Sequence, residues 1–201
     1  MAEATSYAGS PLVALLLAWQ DDARDLLVPL HPSSHPEGVL PSRELTVRTE
    51  AIRRLRWTMI PREALKQRYL WPSLRRRLVA GQPSRPNGGQ IVDQVRRRKR
   101  AFEQELIRLR WADERSNHFE HQLAVLIEQL ESYIDFQDEL LPRIGTQIPA
   151  GEQDWIHAQL TASHRFLPVQ PHPDAPWLAA VLSPVTAVLD RARDRLTTAP
   201  G

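Results

Sequence analysis

Residues 61–74 read PREALKQRYLWPSL. Wound into a helix at about 100° per residue, this stretch puts Lys66 between Leu55 and Met59 on the apolar stripe. Glu63 lies within the same stripe and Arg62 on its edge. Pro61 removes one backbone donor and predicts an interruption of the helix. An unpaired ammonium is costly to bury, so Lys66 must be paired, solvated by a polar cavity, or snorkelling at a bundle edge.

Working outward, glycine is scarce and alternating β-branched runs are absent, so the chain reads as all-α. A first helix over roughly residues 11–30 carries Leu12, Leu15, Leu16, Trp19, Ala23, Leu26, Leu27 and Leu30 at helical spacing. HPSSHPEGVLPS is a loop, and the helix holding the opening stretch runs from Ser42 to about Val79. GQPSRPNGGQ is the sharpest break. Beyond it, helices are expected over about 91–111, 117–141 and 151–166, and a last one over 178–196 after the extended PVQPHPDAPW. Four long amphipathic helices imply an up-down four-helix bundle. The expectation is one domain over 1–201, with a core bundle at about 11–145 and a C-terminal helical extension at about 150–197.

Composition narrows the function classes. No cysteine means no disulfide, cysteine nucleophile or thiolate metal site, and fits a reducing, cytoplasmic setting. No segment approaches the ~20 apolar residues of a membrane span, so no membrane partner is expected. PLVALLLAW lacks a preceding basic region and continues into QDDARD, so it is not read as a signal peptide. Only two of the 26 basic residues are lysines, Lys66 and Lys99. With 17 prolines this looks like GC-rich coding, so most arginines need no functional explanation. RRRKR (96–100) and RRR (75–77) are basic clusters, but the +2 net charge and lack of a reading motif argue against nucleic acid. No phosphate loop, hydrolase elbow or dinucleotide fingerprint is present.

Both lysines face or border the expected core. On the third long helix Lys99 sits beside Leu106 at the stripe's edge, with Arg98 on the other side. The first helix carries Gln20 and Asp22 on opposite edges of its stripe, and the fourth turns Tyr133 and Gln137 inward. His118 and His121 have an i, i+3 spacing that can seat a metal, but stand at a helix start with no nearby sequence partner.

YLWPSL (69–74) and ELLPRI (139–144) resemble the two helix endings of the hemerythrin-like HHE cation-binding family. IPAGEQDW, FLPVQPHPDAPW and SPVTAVLDRARDRL are similar to the C-terminal extension of its long members, so the resemblance covers nearly the whole chain. It implies a four-helix bundle whose family cofactor is a di-iron centre held by inward histidines and carboxylates. The ligands do not carry over. Counting back from Pro72, the helix-two slots hold Arg62 and Lys66; Gln20 stands at the helix-one histidine, and Arg96 or Lys99 at that of helix three. Counting back from Pro142 gives Ser132 and Phe136, whereas periodicity turns Tyr133 and Gln137 inward. Arginine and lysine are not ordinary metal ligands and repel a dication, so no metal site and no cofactor are expected.

The first functional expectation is a degenerate, metal-free relative whose former di-iron cavity is a polar, basic small-molecule pocket. Lys66 and Glu63 would be its catalytic candidates. Gln20, Asp22, Arg62, Arg96, Lys99, Tyr133 and Gln137 would bind an anionic ligand. Such a site suits a cofactor-independent enzyme of specialised metabolism or a plain binder, and sequence leaves that open. The alternatives are a non-catalytic structural or regulatory partner protein and an iron-binding protein with unusual ligands. A cavity shared by Lys66 and Lys99 would favour the pocket; a filled core would favour the partner role.

Overall fold

The computed structural model describes residues 9–31, 42–78, 86–113 and 116–165, with the main chain alone at 42–44. The chain divides into a compact unit over residues 1–166 and a second over 167–201, and all described residues lie in the first. The last expected helix and PVQPHPDAPW therefore fall outside them. Among the described residues every regular element is helical: α1 (Pro11–Leu27), α2 (Ser42–Leu65), α3 (Trp71–Arg77), α4 (Gly88–Leu109), α5 (Asn117–Asp138), α6 (Leu141–Gln147) and α7 (Ala150–His164). A 3-10 turn, Val28–Leu30, ends the first expected helix, and a π-turn, Lys66–Leu70, joins α2 to α3.

Local chemistry sets most boundaries. Ser10 caps α1 by accepting from the Val13 amide, with Pro11 at the position where a missing N–H costs nothing. The same Ser10 hydroxyl donates to Gln153 Oε1 on α7, while Gln153 Nε2 donates to the Gly145 and Ile148 carbonyls at the end of α6. One side chain thus ties α1, α6 and α7 together. α4 starts earlier than the periodicity implies, because Asn87 and Gln90 form a reciprocal capping box inside the segment read as a break.

The interruption expected at Pro61 falls five residues later. α2 runs through Pro61, which is buried, and the departure from α geometry is the π-turn. Its closing bond runs from the Trp71 amide to the Lys66 carbonyl, and Pro72 has no N–H to continue the regular ladder. The extra residue shifts the helical phase after Lys66, and Leu70, Trp71, Ser73 and Leu74 beyond it are buried, as Lys66 is.

α4 packs most extensively on α5 and next on α3, while α1 lies against α2 and α7. α7, read as the start of an extension, also packs on α2 and the π-turn within the first unit. A single apolar core runs through these elements, including Leu16, Trp19, Leu55, Trp71, Phe102, Leu126, Tyr133 and Ile156. Arg48 is also buried, donating through one Nη1 to both oxygens of Glu120 at 2.8 and 3.0 Å, which fixes α2 to the first turn of α5.

Candidate functional site

Four polar side chains meet inside this core. Lys66 Nζ donates to Glu63 Oε1 at 2.8 Å and to Gln137 Oε1 at 2.6 Å. Tyr133 donates its hydroxyl to Glu63 Oε2, and Gln137 Nε2 reaches Glu63 Oε1 at 3.4 Å. Glu63 and Tyr133 are fully buried, and Lys66 and Gln137 nearly so. The pairs come from two helical regions. Glu63 and Lys66 share a face at i, i+3 across the α2–π junction, and Tyr133 and Gln137 share one at i, i+4 on α5. Phe102 of α4 lies against the Tyr133 ring at 5.0 Å between centroids. Burial first, then the Glu63 charge, pushes the Tyr133 hydroxyl well above the usual phenol range, so it stays protonated as a donor.

Trp19 of α1 borders the cluster. Lys66 Nζ lies 5.9 Å and the Arg62 guanidinium carbon 5.3 Å from its ring centroid, both within cation–π range. Arg62 also donates to the Trp19 carbonyl at 3.3 Å and to Asp22 Oδ2 at 2.7 Å. Asp22 is exposed, so this second ion pair leads from the core to solvent. Gln20 is buried with its Oε1 unpartnered, and so is Arg62 Nε.

The two lysines have different partners. Lys99 is half-buried and bonds Glu103 one turn along α4 at 2.6 Å, the ordinary i, i+4 arrangement. Arg96 lies 3.8 Å from Asp93 on the same helix. Of the residues singled out by sequence, the structure joins Glu63, Lys66, Tyr133 and Gln137. It places Arg62 and Asp22 beside them through Trp19 and hydrogen-bonds neither Arg96 nor Lys99 to them. His118 and His121 are exposed on the first two turns of α5. A separate cleft of about 280 Å³ is lined by Arg24, Leu27, His31, Glu131, Ile134 and Asp135, none of them a site candidate from the sequence.

Sequence reasoning placed Trp19 on the stripe without giving it a role, and missed His164. The His164 ring, on the last turn of α7, lies 5.4 Å from Trp19. Burial first and then the nearby Arg62 hold its imidazole below the usual 6.5, opposed by Asp22. The unfolded chain therefore binds this proton more readily than the folded one. The stability contributed by neutral His164 is complete above 6.5 and is lost as pH falls through the lower folded value. Thermal unfolding of wild type and His164→Gln between pH 7.5 and 5 should show the wild-type advantage shrinking on acidification. A difference that stays flat would remove this assignment.

The donor set does not suit a di-iron centre. Its only carboxylate, Glu63, accepts from Lys66, Tyr133 and Gln137, and the Lys66 ammonium would repel a dication. Among the described residues no three His, Cys, Asp or Glu side chains form a metal-binding group, and no helix is long and apolar enough to cross a membrane. Fold and site together define an all-helical protein built round a buried, hydrogen-bonded Glu–Lys pair. No family model, curated protein or solved structure matches the chain.

Proposed function

We propose that this protein is a metal-free up-down bundle of the hemerythrin-like type that acts as a non-catalytic structural or regulatory partner. The Glu63–Lys66–Tyr133–Gln137 cluster would stand in the place of that family's metal centre. The supporting observation is the closure of the cluster. Lys66 is held by two acceptors, Glu63 by three donors, and the four side chains are sealed from solvent. A group meant to exchange protons with a substrate needs a bond it can give up to that substrate. Here each such bond is made within the protein, in keeping with a polar network that fixes helix register.

One observation favours a small-molecule pocket instead. Gln20 Oε1 and Arg62 Nε are buried and unpartnered on residues next to Trp19, itself flanked by two cations. A ligand with an anionic oxygen for the Arg62 Nε–H and a hydroxyl or N–H donor for Gln20 Oε1 would lie beside Lys66 and Glu63, the candidate acid–base pair.

A thermal-shift series with succinate, benzoate and inorganic phosphate separates the readings. An anion at about ten times its Kd adds about 1.4 kcal/mol, or about 3–6 °C for a chain of this size. The expected result is no shift, with less than about one iron per several chains after growth in iron-rich medium. A shift lost in Lys66→Met would replace the partner reading by the pocket, and stoichiometric iron would overturn both.

A further inference from the structure

The outer face of α4 carries a pattern that the buried cluster does not use. Arg97, Arg100 and Ile107 fall within about 80° of one another on the helical wheel, opposite the core-facing Val95, Phe102 and Leu106, and Trp111 follows in the turn just beyond the helix. Trp111 is 76% and Ile107 60% exposed, the two most exposed large apolar side chains at this end of the helix. Arg110 stacks on the indole at 4.9 Å. Neighbouring acids are committed elsewhere: Asp93 to Arg96, Glu103 to Lys99 and Glu105 to Arg108. Arg97, Arg100 and Arg110 have no acidic partner among the described residues. Most other arginines of the described chain do, as Arg24, Arg48, Arg53, Arg54, Arg62, Arg76 and Arg77 show.

We propose that this face of α4 and the turn after it form a peripheral docking surface for an anionic lipid bilayer, with Trp111 and Ile107 entering the interface and Arg97, Arg100 and Arg110 on the headgroups. It goes beyond the partner reading above and stands on the surface alone. Arginines without acidic partners, spread along the helix face that ends in two projecting apolar side chains, match a negative, soft interface. A bilayer accepts a projecting indole without a preformed socket, whereas an acidic protein would have to supply one. Single-stranded nucleic acid fits less well, because Arg110 already covers one face of the indole and Ile107 offers nothing for a base to stack on. The contact is superficial, since no described helix can span a membrane.

The test is co-sedimentation of the full chain with vesicles of phosphatidylcholine alone or with about 30 mol% phosphatidylserine. Binding is expected only to the anionic vesicles, and should weaken with added salt. Arg97→Gln and Arg100→Gln should each lower partitioning about fivefold, and Trp111→Ser about tenfold or more. These exposed positions leave the far-ultraviolet spectrum and melting temperature as internal controls on folding. Equal binding to both vesicle types, no binding, or binding unchanged in the Ile107→Ser/Trp111→Ser double variant would overturn the proposal. So would Trp111-dependent binding to an oligothymidylate, or a self-dimer abolished by Trp111→Ser, in the absence of vesicle binding.

Discussion

Lys66→Met is expected to cost about 3–5 kcal/mol of folding stability. Methionine keeps the length and apolar stem of the side chain, so little packing is lost. What disappears is the ammonium between Glu63 Oε1 and Gln137 Oε1. Glu63 keeps Tyr133 and a long contact from Gln137, but its charge then lies at zero exposure without a cation, and the Gln137 carbonyl loses its donor. Stranding a buried charge is the expensive case, whereas deleting both charges is often neutral. The Glu63→Gln/Lys66→Met double variant should therefore recover much of the loss, because an amide oxygen still accepts from Tyr133. A coupling of about 2 kcal/mol between the two sites follows. Urea unfolding of wild type, both single variants and the double variant reads this directly. If Lys66→Met stays within about 1 kcal/mol of wild type, the ammonium is reached by water and the cluster is open.

The burial of Lys66 was legible from the phase of α2 alone, because Leu55, Met59 and Glu63 lie on α2 and Lys66 opens the π-turn before the phase changes. On α5, periodicity and motif counting disagreed by one residue. Tyr133 and Gln137 are buried, while Ser132 is exposed and bonded by Arg98, which also lies over a half-buried Phe136. A helical wheel fixes such directions because its inputs are local. It does not fix which neighbour a side chain meets. Lys66 and Lys99 look alike on their wheels, yet one lies opposite Gln137 and the other beside its own Glu103. Trp19 and His164 are 145 positions apart, and the ring contact between them follows only from α7 returning to α1. The π-turn was hidden for a related reason: Pro61 is the conspicuous breaker, but a breaker inside a well-packed helix shows only a lost bond, not where the backbone will yield.

Gly88→Ala should cost about 3 kcal/mol, the upper end for forcing atoms into a packed site, although alanine is the better helix former. The glycine sits at the first position of α4 and is buried, in the stretch that reads as a plain loop. Its amide donates to the Leu78 carbonyl at 2.7 Å, so the end of α3 and the start of α4 are clamped together there. A Cβ at Gly88 would stand 2.6 Å from the Leu74 carbonyl oxygen, 2.7 Å from that of Arg75 and 2.8 Å from the Arg75 Cα. All three obstacles are backbone, so no rotamer change relieves them, and α3 must move off α4 or the clamp must break. Gly89 is the internal control. A Cβ there meets only Asn87 Oδ1 at 3.2 Å, the far end of the capping side chain, so Gly89→Ala should change stability by less than about 1 kcal/mol in either direction. Thermal and urea unfolding of the two variants side by side give the comparison. Equal stabilities would mean that α3 does not approach α4 as closely as the Gly88 clamp requires. The π-turn, α3 and the start of α4 would then lose the rigid support that keeps Lys66 aimed at Gln137.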